Sequence, residues 1–210
     1  MKIRRIALAL LWFAMAAGYV SARTEVLFSP DDKPTTRLLE CIKNTQRRIY
    51  AAVYMLTDKT IAEALIDAKK KRNIDIQIVI DKISYDSIYG KGKMLHESGL
   101  TLFVFDPPKT TTKTRAWGAG PIMHHKFALF DNILWTGSFN WTVAANRANQ
   151  ENVIITDDYE ACRKYEGCFE RLKKLSAQKV AEYRTPQRES SAIETFIHAW
   201  KNFTHKDTIN

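Results

Sequence analysis

Two adjoining runs carry residue types suited to attack on phosphorus. The first is Met123-His124-His125-Lys126-Phe127-Ala128-Leu129-Phe130-Asp131, and the second is Asn132-Ile133-Leu134-Trp135-Thr136-Gly137-Ser138-Phe139-Asn140. Read as two strands joined at Asp131-Asn132, they alternate side chains, so His124 and Lys126 share one face while Phe127 and Leu129 share the other. Ser138 and Asn140 likewise share a face. Paired as a hairpin, the strands would bring an imidazole, an ammonium, a hydroxyl and a carboxamide to one spot, and polar groups placed among aromatics call for partners or a function. A neutral imidazole is a competent nucleophile toward a phosphodiester. Lys126, Ser138 and Asn140 offer charge and donors to non-bridging oxygens as their charge shifts in the transition state. Gly137 lets backbone come close to a phosphate. Glu151, in Asn149-Gln150-Glu151-Asn152, could accept from the other ring nitrogen of His124 and fix its tautomer. The segment holds no carboxylate cluster of the kind that binds Mg²⁺, so the chemistry reads as metal-free, with no cofactor.

The elements that must position these residues are readable from periodicity. Glu25 to Pro30 reads as a short strand ended by proline, and Thr35 to Thr45 as a helix with Leu38, Leu39 and Ile42 at helical spacing. Arg48 to Leu56 is a long apolar strand of the buried kind. Thr57-Asp58 then caps an amphipathic helix that ends in Lys69-Lys70-Lys71-Arg72, where the basic run complements the helix dipole. Ile74 to Asp81 alternates and is β-branched, the pattern of a strand. A helix over Tyr85 to Glu97 and a strand over Leu100 to Phe105 follow. The β-α-β-α-β-α-β order implies an α/β fold with a largely parallel or mixed central sheet and helices on both faces. Residues 107–121 form a basic loop rich in Thr and Gly, either a plain connection or a rim on which Trp117 stacks a base of the substrate. Tyr159 to Leu175 reads as a helix with Cys162, Tyr165, Cys168, Phe169, Leu172 and Leu175 on one face.

The chain of 210 residues is 45% hydrophobic and 26% charged, enough to bury a core in a single catalytic domain. This composition excludes a disordered chain, a collagen-like repeat and a polytopic membrane protein. A net charge of +9 points toward polyanions, nucleic acid or an anionic lipid surface. Residues 1–22 have the basic start, apolar run and small-residue exit of a secretory signal, which predicts a secreted or periplasmic protein; an uncleaved N-terminal membrane anchor is the alternative. Loss of Lys2, Arg4 and Arg5 with that segment lowers the net charge from +9 to +6. Residues 23–180 are the expected catalytic domain and 181–210 an amphipathic helical extension. In that extension Ile193, Phe196, Ile197, Trp200 and Phe203 form a stripe for core or subunit packing, or for a membrane surface. Cys41, Cys162 and Cys168 read as small apolar side chains, because six residues of helix hold Cys162 and Cys168 about 9 Å apart axially, beyond disulfide reach.

The pattern His124-x-Lys126-x4-Asp131 followed by Gly137-Ser138-x-Asn140 resembles the HKD signature of the phospholipase D superfamily, in its small single-motif branch. That branch includes a secreted bacterial endonuclease and the mitochondrial cardiolipin hydrolase. The resemblance covers roughly residues 24–180 and implies an α-β-α sandwich. It implies His124 as a nucleophile forming a phosphohistidine, Lys126, Asn140 and Ser138 on the phosphate, and Glu151 orienting the histidine. Asp131 completes the signature from a strand end. Five residues separate Asp131 from Gly137 where the family usually has six, a shortening that the turn must absorb. The reaction needs a general acid besides the nucleophile, and the chain offers one motif. A two-fold homodimer would supply a second His124. Three functions follow as expectations. The first is a non-specific endonuclease, the second a phospholipase D acting on phospholipid head groups at a membrane, and the third an inactive polyanion-binding module.

Overall fold

The β-branched runs of the sequence become the middle of a seven-stranded sheet, buried on both faces by helices on either side. The structure, a computed structural model, describes residues 21–106 and 121–177. In chain order the elements are β1 (Thr24–Ser29), α1 (Pro34–Asn44), β2 (Arg48–Val53), α2 (Lys59–Arg72), β3 (Asp75–Asp81), α3 (Lys82–Asp86), α4 (Gly92–Glu97), β4 (Thr101–Phe105), β5 (Lys126–Phe130), β6 (Ile133–Gly137), α5 (Val143–Arg147), β7 (Glu151–Thr156) and α6 (Tyr159–Ala177). The sheet order is β1-β7-β6-β5-β2-β3-β4.

The fold is the expected α/β/α sandwich, but its sheet is more mixed than the element order alone suggests. Only β2-β3 and β3-β4 are parallel; β2-β5, β5-β6, β6-β7 and β7-β1 are antiparallel. The reason is where the chain re-enters the sheet. Lys126, at the start of β5, pairs with Val53, at the end of β2, so β5 must run back along β2. A tight hairpin then follows, and β1 closes the far edge against β7 instead of lying beside β2.

Alternation in the central strands feeds two cores. On one face Ile49, Ala51, Val53, Ile78, Ile80, Ala128 and Trp135 pack against α1, α2 and α4. On the other, Ala52, Val79, Phe127, Leu129 and Leu134 pack against α6 around Phe169. The α6 stripe seats Cys162, Tyr165, Cys168, Phe169 and Leu172 on the sheet. Leu175, which the periodicity placed on this stripe, is instead 64% exposed. All three cysteines are free; Cys41 is buried, while Cys162 and Cys168 are half-buried.

Two elements differ from their sequence outlines. The helix expected over Tyr85 to Glu97 is two short helices, α3 and α4, separated by a turn. Asp81 starts α3 as soon as β3 ends, its Oδ1 accepting from the Ile83 N–H at 2.9 Å. The turn then requires glycine at 90, where a Cβ would lie 2.0 Å from the Ser84 carbonyl oxygen. The strand expected to reach Leu56 stops at Val53. Beyond it the backbone peels off the sheet, and Leu56 makes an isolated bridge to Trp141. Trp117, most of the 107–121 loop, residues 1–20 and the 181–210 extension lie outside the described residues.

Candidate active site

The candidate site lies at the end of the sheet where β2 and β3 finish and β5 begins. Its backbone is pinned from several sides. The Met123 N–H donates to the Asp81 carboxylate at 2.8 Å, and the Tyr54 N–H donates to the His125 carbonyl at 2.8 Å. Asp81 is 2% exposed, so one buried carboxylate serves both the α3 N-terminus and the segment leading into His124. Neither Tyr54 nor Asp81 stood out in the sequence. Both sit in apolar strand runs, and the signal available was their place at the C-terminal ends of parallel strands, where α/β sheets gather their sites.

His124 is solvent-exposed, and its ring lies 4.5 Å from the Tyr54 ring at 57°. Lys126 is 6% exposed. Its Nζ donates to the His124 carbonyl at 2.7 Å and stands 5.0 Å from the Tyr54 ring centroid, a cation–π distance. Burial lowers the Lys126 ammonium below the ordinary lysine range, while the Glu151 carboxylate pulls it partly back up. The neighbouring His125 is lowered by burial first, then by the charges of Lys126 and His124.

The remaining signature residues distribute unevenly. Ser138 is exposed and tied to β7: its Oγ accepts from the Asn152 N–H at 3.0 Å, and its own N–H donates to the Asn152 carbonyl at 3.0 Å. Asn140 is half-buried, and its Oδ1 has no hydrogen-bond partner. Glu151 begins β7 and its Oε1 accepts from Asn149 Nδ2 at 3.1 Å. Among the described residues the His124 ring donates no hydrogen bond to Glu151, whose side-chain partner is Asn149. Among those residues no group of three His, Cys, Asp or Glu side chains could hold a metal ion.

Asp131 is at the opposite end of β5, a strand length from Lys126. It adopts a positive φ of 54° in the hairpin turn, a conformation that Asp tolerates. Its carboxylate accepts from the backbone N–H groups of Gln46 (2.8 Å), Arg47 (3.0 Å) and Arg48 (2.9 Å). Burial pulls the Asp131 carboxyl up, but these donors outweigh it and hold the group below its usual value. Asp131 therefore fixes the α1–β2 connection and takes no part in the His124 end. The Lys69-Lys70-Lys71-Arg72 run is also at this far end, where Arg72 caps α1 through the Ile42 and Lys43 carbonyls.

The short Asp131–Gly137 spacing is accommodated without a longer turn. The hairpin loop is Asp131-Asn132 alone, with Phe130 opposite Ile133 and Phe127 opposite Thr136. Continued strictly, that register would set Ser138 and Asn140 on the face opposite Lys126. The chain instead leaves the strand at Ser138. Phe139 and Trp141 go into the core, and Gly137 runs so close to β7 that a Cβ there would lie 2.1 Å from the Asn152 carbonyl oxygen. His124, Lys126, Tyr54 and Glu151 thus share one neighbourhood, Ser138 bonds across to Asn152, and Asn140 keeps an unsatisfied oxygen.

Comparison with known proteins shows the family to which the chain belongs. The chain is 30% identical over 145 residues to the mitochondrial cardiolipin hydrolase of Xenopus laevis, a match covering 67% of this chain and 61% of that protein. It is also 30% identical over 145 residues to the phospholipase D of Rickettsia conorii, covering 69% of this chain and 66% of that one. The matches thus span just under two thirds of these relatives' own lengths. The crystal structure of Nuc, a phospholipase D family member from Salmonella typhimurium, superposes with a TM-score of 0.63 at 26% identity, covering 74% of this chain and 96% of that one. Residues 38–173 match the family model described as cardiolipin synthase, PLD-like domain, and the chain therefore belongs to the phospholipase D superfamily.

Proposed function

We propose that the protein hydrolyses phosphodiesters through His124, without a metal ion. One observation carries the reading: a buried ammonium is bonded to the backbone carbonyl of the residue that carries an exposed imidazole, with donors to spare. Lys126 Nζ makes one hydrogen bond, to the His124 carbonyl, so two of its three N–H groups remain for substrate oxygens. A phosphate bound there would also offset the cost of burying that charge. In the first step the His124 ring nitrogen bonds to phosphorus and the bond from phosphorus to the leaving oxygen breaks, giving a phosphohistidine. Ser138 and Asn140 would add donors to the phosphate, with the unsatisfied Asn140 Oδ1 marking a side chain that a bound substrate could reorient. The leaving oxygen needs a proton, and we assign its donation to a second His124 across a two-fold homodimer. Water then cleaves the phosphorus–nitrogen bond.

Nucleic acid is the leading substrate, on the excess of 32 Lys and Arg over 23 Asp and Glu. Phospholipid is the second reading, favoured by the names of the curated relatives and by exposed Ile88, Tyr89, Ile122 and Val143 on segments next to the site. The compartment proposed is the one read from residues 1–22, outside the cytoplasm.

The test is to offer single-stranded DNA, RNA and labelled phospholipid to the full chain in EDTA. The expected outcome is turnover of DNA and RNA that EDTA does not suppress. His124→Asn should lower it by roughly a thousandfold or more, while His125→Asn leaves it near wild type. Turnover of phospholipid alone selects the second reading. Equal losses in both variants, or no turnover of any of the three, would refute the assignment.

A further inference from the structure

The turn between α3 and α4 carries two strongly exposed large apolar side chains side by side, Ile88 at 88%, the most exposed among the described residues, and Tyr89 at 71%. The backbone that presents them is tied down. The Ser87 N–H donates to the Ile83 carbonyl at 3.1 Å and the Gly90 N–H to the Ser87 carbonyl at 2.9 Å, while the Tyr89 N–H donates to Ser87 Oγ at 3.3 Å. Gly90 packs against the Ser84 carbonyl so closely that no other residue fits there. A turn this well built could have hidden two apolar groups and instead presents them.

Its place in the fold gives the presentation a direction. The Leu56 N–H donates to Ser84 Oγ at 3.1 Å, and the Lys91 N–H donates to the Leu56 carbonyl at 2.9 Å. The turn is therefore seated on the segment that carries Tyr54, whose ring faces His124. Tip and site share one end of the molecule. Lys91 and Lys93 follow the tip directly and have no ion-pair partner among the described residues.

We propose that Ile88 and Tyr89 form a wedge that inserts into the surface of an anionic phospholipid bilayer, with Lys91 and Lys93 on the head groups. An aliphatic tip, an aromatic with a polar end and adjoining lysines together match the layering of a bilayer interface. Nucleic acid fits worse, since Ile88 has neither a π face for a base nor a donor for a phosphate. A second copy of the chain also fits worse, because two side chains fall far short of the roughly 1,200–2,000 Å² that a stable interface buries. The wedge goes beyond the chemistry proposed for His124 and does not depend on it.

The experiment is co-sedimentation of the full chain with vesicles of mixed phosphatidylcholine and phosphatidylglycerol, against vesicles of phosphatidylcholine alone. Hydrolysis of the soluble ester bis(p-nitrophenyl) phosphate is followed in parallel. Wild type is expected to partition onto the mixed vesicles more strongly than onto the neutral ones. Ile88→Ser/Tyr89→Ser should weaken that partitioning roughly tenfold to a hundredfold, and Lys91→Gln/Lys93→Gln should remove the preference for anionic vesicles. Hydrolysis of the soluble ester stays unchanged, so failure of the catalytic reading would show separately as absent hydrolysis. Equal partitioning of wild type and the tip variant overturns the wedge. So does a tip variant that keeps vesicle binding but becomes monomeric by sedimentation velocity, or one that loses only its affinity for single-stranded DNA.

Discussion

Lys126 combines two demands that oppose each other. In the proposed mechanism its ammonium must be charged to hold a phosphate; burial disfavours the charge, and the Glu151 carboxylate favours it. The sign of the pH effect follows. As pH rises through the lowered Lys126 value, the ammonium is lost and the rate falls with it. Glu151→Gln removes a group that favours the charged form, so the alkaline limb of the kcat/KM profile should move to lower pH. Measured on a soluble phosphodiester, an alkaline limb that does not move would remove Glu151 from this role. At this scale the sequence was informative about types and order: His124, Lys126, Gly137, Ser138 and Asn140 announced themselves by spacing. It was silent about Tyr54 and Asp81, whose contributions are a ring against an imidazole and a carboxylate on a backbone N–H. Contacts between segments distant in the chain leave no local pattern.

The elements position the site through their ends. β2 and β3 deliver Tyr54 and Asp81, and β5 runs back from that point, so its own far end carries Asp131 away from the chemistry. Asp131 is the clearest case of a signature residue with a structural task, three backbone donors converging on one carboxylate. Because its folded value lies below the unfolded one, its contribution is present above the ordinary carboxylate range and is lost as pH falls through the lowered value. Asp131→Asn should therefore cost about 1–2 kcal/mol at neutral pH, discounted for its partial exposure, and lower Tm by about 2–8 °C. The gap between variant and wild type should close in acid, and thermal unfolding across a pH series measures it. A gap that persists unchanged at low pH would mean that shape, not charge, is what Asp131 contributes. Periodicity located β3, α2 and α6 almost to the residue, since each repeats one pattern along its length. It failed at Tyr85 to Glu97, where apolar spacing suits a helix but Gly90 must pass against the Ser84 carbonyl and splits it. It overstated the parallel share of the sheet, because strand order records the sequence of elements and not the direction in which β5 re-enters.

The proposed chemistry asks for two imidazole roles, nucleophile and general acid, and each chain carries the signature histidine once, as His124. His125 has its ring 5.7 Å from Phe127 in an edge-on contact and is kept low by burial. His96 is on α4, remote from the signature in the chain. A second copy is the economical source of the missing acid, because two-fold symmetry brings the same patch of each subunit together. If each site needs both imidazoles, a dimer of one wild-type and one His124→Asn subunit has no complete site. Co-expressing the two chains in equal amounts, with random pairing, leaves about one quarter of dimers fully wild-type, whereas independent subunits would leave about one half of the activity. Titrating the ratio separates the cases: a shared site gives activity that falls as the square of the wild-type fraction, and separate sites give a straight line. A straight line, or full activity from a species that sediments as a monomer, would return both proton transfers to a single chain. His124 would then need a proton donor from its own subunit, and the Lys126 ammonium would be a poor one to spare, already lowered by burial and already bonded to the nucleophile's own carbonyl.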